Sequence, residues 1–382
     1  MKQDYLVLEN LVKIFQSGKN ALTAVDKVNV KVKEGELVTL LGPSGCGKTT
    51  TLRMISGFEI PTSGKIFIDG KEISMIPPNQ RPTTMVFQNY ALFPHMTVFE
   101  NISYGLKIHK ESAKSIKEKT EKIIGLVDLE GLSKRSPAHL SGGQQQRVSL
   151  ARSLIMEPKV LLLDEPLSNL DAKLRISTRL EIRKLQQRIG ITSVYVTHDQ
   201  EEAMTLSDRV VIMNEGKIQQ IGTPQEIYAY PNNYFVADFI GKANFMEGKV
   251  HKILTPKNVE IEVKGYIFKI ALHNLSFKEG DKILLLVRPE AVDLKAKTSQ
   301  SITVRPEAVD LKAKTSQSIT GKIQQIIYLG SHLVYKIKVD NDIFTIEIAN
   351  PQEQRNFSTG EEVSLCFKEN SLHVLPYEDI EK

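Results

Sequence analysis

Lys48 and Thr49, at the close of "GPSGCGKT" (Gly42–Thr49), are the first residues of this chain whose types and spacing can do chemistry. The stretch satisfies every fixed position of G-x-x-x-x-G-K-[ST]. It follows the compact apolar run "GELVTLLG" (Gly35–Gly42) and precedes a helical-looking "KTTTLRMISG" (Lys48–Gly57). Gly42, Gly45 and Gly47 let backbone N–H groups approach phosphate oxygens with no Cβ in the way, and a helix N-terminus adds partial positive charge. The candidate phosphate cradle is Gly42, Pro43, Ser44, Gly45, Cys46, Gly47, Lys48, Thr49 and Thr50. Lys48 would reach the β- and γ-phosphates, and the Thr49 hydroxyl would ligate Mg²⁺. The chemistry on offer is binding of a magnesium nucleoside triphosphate.

A second element could act on that ligand. In "VLLLDE" (Val160–Glu165) four apolar residues end in two carboxylates. Ligands of open parallel sheets gather at the carboxyl ends of the strands. Asp164 would hold the magnesium, directly or through water, and Glu165 would polarise a water for attack on the γ-phosphate. Three more residues join by order and type. Gln88 in "VFQNYALFPH" offers a neutral amide to metal or water. His198 in "YVTHDQEEA" could hydrogen-bond a γ-phosphate oxygen, and Phe15 in "LVKIF" could stack an adenine. Each alone reads as a polar loop residue, a surface histidine or a core aromatic; their joint order favours the site. A second glycine pair, in "HLSGGQQQRVSLAR" (His139–Arg152), sits at the mouth of another expected helix about a hundred residues downstream.

These residues need a scaffold that presents strand ends together. "KVLLLDEP" and "ITSVYVTH" (Ile191–His198) are short runs of apolar character. Between them "AKLRISTRLEIRKLQQRIG" has helical spacing, with Leu174, Leu180 and Leu185 among its apolar positions, and stops at Gly190. Apolar strands joined by helices predict a parallel sheet covered on both faces. "SGKIFIDGKEI" (Ser63–Ile73) alternates between glycines and predicts an antiparallel ribbon. Lys107–Val127, rich in Lys and Glu with Ile116, Ile123 and Ile124, predicts one amphipathic helix. From about Gly241 helical periodicity fades. "GYIFKIAL", "DKILLLVRPE", "HLVYKIKV" and "DIFTIEI" predict a small all-β, barrel-like domain.

Composition sets outer bounds. The 382 residues suffice for two domains, each with its own core. Lys+Arg 50 against Asp+Glu 45 gives +5 with interspersed charge, which does not call for nucleic acid. One of the two cysteines, Cys46, lies in the phosphate loop, so a reducing compartment is expected rather than a structural disulfide. "MKQDYLVLENL" lacks the apolar core of a secretory signal, and no apolar run is long enough to span a bilayer. Within the β region, the seventeen residues "VRPEAVDLKAKTSQSIT" at 287–303 recur without change at 304–320. One slot and two copies predict an extruded or disordered loop near Lys295–Thr320, since long surface insertions cost little entropy per added residue.

Together the motifs are similar to one known family. "GPSGCGKT", Gln88, "LSGGQ" (Leu140–Gln144), "VLLLDEP", "SNLD" (Ser168–Asp171) and His198 resemble the ATP-binding-cassette family over roughly Tyr5–Gly241. The β segment with its "VRPE" resembles the accessory (TOBE-like) domain of the subfamily that energises binding-protein-dependent importers. The resemblance implies an α/β P-loop nucleotide-binding domain over residues 1–240, with parallel core sheet, antiparallel ribbon and a helical subdomain at about 89–155, then an all-β domain over 241–382. It implies an ATPase using ATP and Mg²⁺. Catalysis would fall to Glu165, His198, Lys48 and Gln88, and the metal to Thr49, Gln88 and Asp164. It further implies a head-to-tail homodimer in which Ser141, Gly142, Gly143, Gln144 and Asp171 reach the nucleotide held by the partner subunit. Other implied partners are two transmembrane permease subunits and an extracytoplasmic solute-binding protein, with the chain peripheral on the cytoplasmic face of the membrane. "NYALFPHMTVFENI" would line a groove for the permeases; its wording is most similar to the polyamine (spermidine/putrescine) branch. Ferric iron, phosphonate and sugar or glycerol-phosphate importers remain alternatives, as does a regulatory ATP-binding module. A coiled-coil insertion or second cassette, expected of relatives acting on DNA or ribosomes, is absent from the sequence. Asn169 departs from the alanine common in the family at that place and is expected to be tolerated.

Overall fold

The apolar runs that end in chemistry become neighbours in one sheet. The computed structural model describes residues 4–17, 20–273, 275–296, 318–352, 356–368 and 371–377. They form two compact units, dividing between Pro224 and Gln225. In chain order the first holds β1 (Asp4–Ser17), β2 (Asn20–Lys33), β3 (Leu37–Leu41), α1 (Lys48–Ser56), β4 (Ser63–Ile68), β5 (Lys71–Glu72), β6 (Thr83–Val86), α2 (Val98–Ile108), α3 (Ala113–Leu126), α4 (Gly142–Leu154), β7 (Val160–Asp164), α5 (Ala172–Ile189), β8 (Thr192–Thr197), α6 (Gln200–Leu206), β9 (Arg209–Asn214) and β10 (Lys217–Gly222).

The central sheet has strand order β10-β9-β3-β8-β7-β6, parallel except for the β9–β10 hairpin. Strands β3 and β8 are buried throughout and β7 over its first four residues, as strands covered on both faces must be. A second, antiparallel sheet, β2-β1-β4-β5, contains the expected ribbon as β4 and β5. Leu6, Leu8 and Val30 from that sheet pack with Val38 and Leu40 from the central one, around Leu52, Met54 and Ile55 of α1. Helices α2, α3 and α4 share a separate core that includes Val98, Ile102, Ile124 and Val148.

Helix α1 is anchored at its far end by a residue the sequence gives no reason to single out. The buried Arg81 guanidinium donates to the carbonyls of Met54 (2.6 Å), Ile55 (2.9 Å), Ser74 (2.9 Å) and Ile76 (2.6 Å). It satisfies orphan carbonyls at the helix C-terminus and complements the dipole there. A Cβ on Gly57 would stand 2.5 Å from its Nε, so this glycine serves the anchor.

Two expectations need correction. Lys107–Val127 is not one helix: Lys107 belongs to α2, and α3 starts after Ser112, whose hydroxyl caps the Ser115 N–H. Lys110 sits between them at φ 57, which no helix interior tolerates. On α5, Leu180 is 48% exposed, whereas Thr178, Arg179, Ile182 and Gln186 form the buried face. Its polar buried positions hid the phase of the helix.

The second unit contains α7 (Pro224–Ala229, beginning on the last residue of the first), α8 (Tyr234–Phe239), β11 (Asn244–Thr255), β12 (Asn258–Val263), β13 (Tyr266–Ala271), β14 (Lys282–Val287), β15 (Val292–Ala296), β16 (Ser318–Tyr328), β17 (His332–Val339), β18 (Asp342–Ala349), β19 (Glu362–Phe367) and β20 (Leu372–Pro376). Two five-stranded antiparallel sheets, β13-β12-β11-β14-β20 and β15-β19-β16-β17-β18, close on one hydrophobic core. Residues 225–240, read from sequence as part of the first domain, group here for a physical reason. Buried Arg288 donates to the carbonyls of Tyr228, Ala237, Gly241 and Lys242. The duplicated stretch connects β15 to β16, which flank β19 on either side. Lys295 and Ala296 finish β15, and Ser318–Thr320 open β16. Those ends are paired strands rather than loop, and the rest of the expected loop, 297–317, lies outside the described residues.

One histidine makes this unit acid-sensitive. His373 is 5% exposed, and its Nε2–H donates to the Pro231 carbonyl at 2.8 Å. Burial pushes its pKa down to about 4. Between about pH 6.5 and 4 the unfolded chain takes up a proton that the folded chain refuses. The contribution of neutral His373 is therefore complete above about 6.5 and is lost as the pH falls towards 4, by about 3 kcal/mol. Protection factors of β14 and β20 amides in the full chain, corrected for the pH dependence of intrinsic exchange, should fall over that window, and His373→Gln should flatten the dependence.

Candidate functional site

The C-terminal ends of β3, β7 and β8 converge, because β8 pairs in parallel with both of the others. The loop after β3 is the phosphate-type loop, and its glycines are needed for different reasons. Gly45 has φ 80 with open space where a Cβ would go. Gly47 has φ 102, and a Cβ there would lie 2.3 Å from the Ala24 carbonyl; one on Gly42 would lie 2.2 Å from that of Met213. These two let protein backbone, not only a ligand, come close. Lys48 is 6% exposed, and its ammonium donates to the carbonyls of Gly42 (2.8 Å) and Pro43 (2.7 Å). To grip a phosphate it must exchange those carbonyls for phosphoryl oxygens. Cys46, with Sγ 3.8 Å from the Lys48 ammonium, is buried, and burial pushes its thiol pKa up. Ser44 and Thr50 belong to the same loop and first helical turn.

On the first turn of α1, the Thr49 hydroxyl lies 3.3 Å from Asp164 Oδ1 at the end of β7. Burial raises the Asp164 pKa, against the pull of the Thr49 hydrogen bond. A hydroxyl and a carboxylate are hard oxygen donors of the kind magnesium takes when phosphates and waters complete its shell. Among the described residues no group of three or more His, Cys, Asp or Glu side chains could hold a metal unaided. Thr49 and Asp164 therefore fit Mg²⁺.

Glu165 has φ 44, a left-handed conformation that a non-glycine residue holds only when its surroundings insist. Its N–H donates to the Val196 carbonyl (3.0 Å), and its own carbonyl accepts from the N–H and hydroxyl of Ser168. This kink turns the carboxylate towards β8, where Glu165 Oε2 meets His198 Nδ1 at 3.1 Å. His198 is mostly exposed and Glu165 is half-buried.

Gln88 is exposed just beyond β6, and its loop is clasped from two sides. Asn169 Nδ2 donates to the Gln88 carbonyl at 2.9 Å. Tyr90 and Ala91 follow at φ 59 and 47, consecutive left-handed residues that cost about 1 kcal/mol or more each. Helix α4 offsets that strain: the Ser149 hydroxyl donates to the Tyr90 carbonyl, and the Arg152 fork donates to Tyr90 (2.8 Å) and Ala91 (2.7 Å). Sequence reasoning missed Ser149 and Arg152 in this role, and it took Asn169 for a neutral departure. Two adjacent left-handed residues leave no mark when neither is glycine.

Ser141–Gln144 stands elsewhere on the unit, at the N-terminus of α4. Ser141 Oγ accepts from the Gln144 N–H, and Gln144 Oε1 accepts from the Ser141 N–H, a capping box. The Ser141 hydroxyl proton is thereby left to donate outward. Gly142 and Gly143 pack tightly, with built Cβ positions 2.8 Å from Leu170 and 3.3 Å from Leu174. Asp171 caps α5 through the Leu174 N–H at 3.0 Å. Phe15 is 37% exposed on β1, with the Lys13 ammonium 4.9 Å from its ring centre. The structure thus gathers Lys48, Thr49, Asp164, Glu165 and His198 at one sheet edge. Phe15 on β1 and the Ser141–Gln144 group on α4 belong to other elements.

The chain is similar to known proteins. Residues 25–168 match the ABC transporter family model and residues 285–375 match the TOBE domain. A Rhizobium meliloti (strain 1021) protein, Fe(3+) ions import ATP-binding protein FbpC 1, is 44% identical over 97% of this chain and 97% of its own length. The spermidine/putrescine import ATP-binding protein PotA of Thermobifida fusca (strain YX) is 42% identical over 97% of this chain and 93% of its own. Among solved structures, the ATP-binding cassette MJ0796, dimeric in a post-hydrolysis state with ADP and Pi, is 31% identical with a TM-score of 0.51, covering 57% of this chain and 98% of that one.

Replacing Glu165 by Gln keeps its shape and removes its basicity. Turnover should fall by about 10²-fold or more while magnesium-dependent ATP binding, followed by fluorescent-nucleotide titration, persists. Equal loss of both would show that Glu165 serves binding instead.

Proposed function

We infer function from one premise: this chain belongs to the ABC transporter family, as the ATP-hydrolysing subunit of an importer, with a TOBE domain at its C-terminal side. It uses ATP with Mg²⁺. The observation that carries the finer reading is the convergence of Lys48, Thr49, Asp164, Glu165 and His198 at one sheet edge.

In this reading the backbone of 42–50 cradles the phosphates and Lys48 moves from its two carbonyls to the β- and γ-phosphoryl oxygens. Thr49, Asp164 and Gln88 would hold Mg²⁺, which would supply charge neutralisation on the phosphates. Glu165 takes the proton of the attacking water. His198, braced by Glu165, donates to a γ-phosphate oxygen, and Phe15 stacks the adenine. Two copies of the chain associate head to tail. Ser141, with its outward hydroxyl proton, the N–H groups of Gly142 and Gly143, Gln144 and Asp171 then close over the nucleotide of the partner subunit. Contacts to the γ-phosphate exist only before hydrolysis, so nucleotide state sets dimer closure.

Among the described residues no helix is long and apolar enough to cross a membrane. In this reading two permease subunits hold the chain at the cytoplasmic face of the bilayer. Residues 89–102 line their groove, and an external binding protein delivers the solute. The relatives at 44% and 42% identity carry ferric-iron and polyamine names respectively, so we propose a cationic solute, either ferric iron or a polyamine.

Deleting the gene and measuring uptake of labelled ferric iron and labelled spermidine decides between them: the true solute loses uptake and the other does not. If neither changes, the cationic-solute reading fails. Gly143→Asp adds a Cβ 3.3 Å from Leu174, so its charged side chain forces the glycine N-terminus of α4 away from α5 and out of position for phosphate. ATPase activity should disappear while monomers still bind ATP, and normal activity in this variant would rule out the shared site.

A further inference from the structure

The imidazole of His198 is 57% exposed, so packing cannot aim it and its backbone must. The residues on either side are tied together. The Asp199 N–H donates to Thr197 Oγ1 at 3.0 Å, closing a turn around His198. The Thr197 hydroxyl in turn donates to Glu202 Oε2 at 2.7 Å. Tyr195, two positions earlier and so on the same side of β8, donates its hydroxyl to the same oxygen at 2.9 Å. Tyr195, Thr197 and Glu202 are 0%, 2% and 3% exposed.

The arrangement departs from an ordinary helix start. Asp199 is the N-cap of α6 and accepts the Glu202 N–H at 3.1 Å. In a capping box the glutamate at this position reaches back to the N–H of the cap residue. Here that N–H is taken by Thr197, and the glutamate bonds Thr197 instead. A hydroxyl is thus inserted into the box, which links the helix start to the last residue of β8. The other charged groups around it are Asp199 itself, whose carboxylate lies 3.5 Å from Arg175 Nη1, and Arg179 of α5. Burial raises the Glu202 pKa and its two hydroxyl donors lower it.

We propose that Thr197 and Glu202 are positioning residues for His198: the Glu202 carboxylate locks the Thr197 hydroxyl, and that hydroxyl fixes the turn that aims the imidazole at Glu165 and at the terminal phosphate. This rests on the reading of His198 as a phosphate contact. Neither residue touches the nucleotide in this scheme. Both act through the direction of one ring, and displacements of about an ångström at a reacting centre cost up to about a hundredfold in rate.

The test uses steady-state Mg-ATPase kinetics of the full chain. Thr197→Val keeps the side-chain shape and removes the hydroxyl. It should lower kcat about tenfold with KM for ATP unchanged, and Thr197→Ser should restore kcat. In a His198→Ala background the Thr197→Val step should have no further effect, since there is no ring left to aim. Wild-type kcat in Thr197→Val, or the same fall with and without His198, would overturn the proposal. If His198→Ala itself turns over normally, the phosphate-contact reading fails first, and the two failures are told apart. Circular dichroism melts separate both from simple unfolding: a kcat loss matched by a loss of folded protein at the assay temperature counts against positioning.

Discussion

The parallel pairing of β8 with β3 on one side and β7 on the other is the constraint on which this protein depends. Leu41 lies opposite Thr197, and Asp164 lies opposite Val196. The residues just past those pairs are Gly42, His198 and Glu165. Backbone hydrogen bonds therefore bring a phosphate-binding loop, an imidazole and a carboxylate together before any of their side chains interact. A slip of one residue in β8 would turn Tyr195 and Thr197 to the other face and separate His198 from Glu165. The continuous burial of β3 and β8, and of β7 up to Asp164, is what holds the register, because only one alignment covers all three runs.

Around that frame the chain stores strain where chemistry is expected and offsets it nearby. Glu165 is held left-handed by Val196 and Ser168, and Tyr90 and Ala91 by Ser149 and Arg152. The second clasp matters for communication. Its donors lie on α4, and the N-terminus of α4 carries Ser141. One rigid helix therefore connects the loop of Gln88 with the Ser141–Gln144 patch. Arg81 plays a comparable part for α1, gripping the end opposite Lys48. These arginines work through backbone carbonyls rather than carboxylates, which suits buried cations whose task is geometry.

The second unit follows another logic. Its two sheets share one core, and its chain is continuous with the first through a segment tied down by Arg288. The first copy of the repeated sequence supplies β15, and the last residues of the second copy open β16. Strand β19 accepts one on each edge. A duplication between two strands that already had a common neighbour can be accommodated without altering either pairing, because the added length enters at their connection.

Much of this was legible in the residues themselves. Sequence by itself determined the phosphate loop, the apolar strands ending in Asp164–Glu165 and His198, the ribbon, the shift to an all-β unit and the family. Each of these rests on local spacing or on motifs that a single stretch of chain contains. It did not reveal the break between α2 and α3, the exposure of Leu180, or the assignment of residues 225–240. Nor did it reveal Arg81, Asn169, Ser149, Arg152, Thr197 and Glu202 as the side chains that hold the site in shape. Those depend on partners that are distant in sequence, or on backbone conformations that ordinary residues adopt only under constraint. Local chemistry names the groups that can react, and only tertiary contact decides which carbonyls and hydroxyls will aim them.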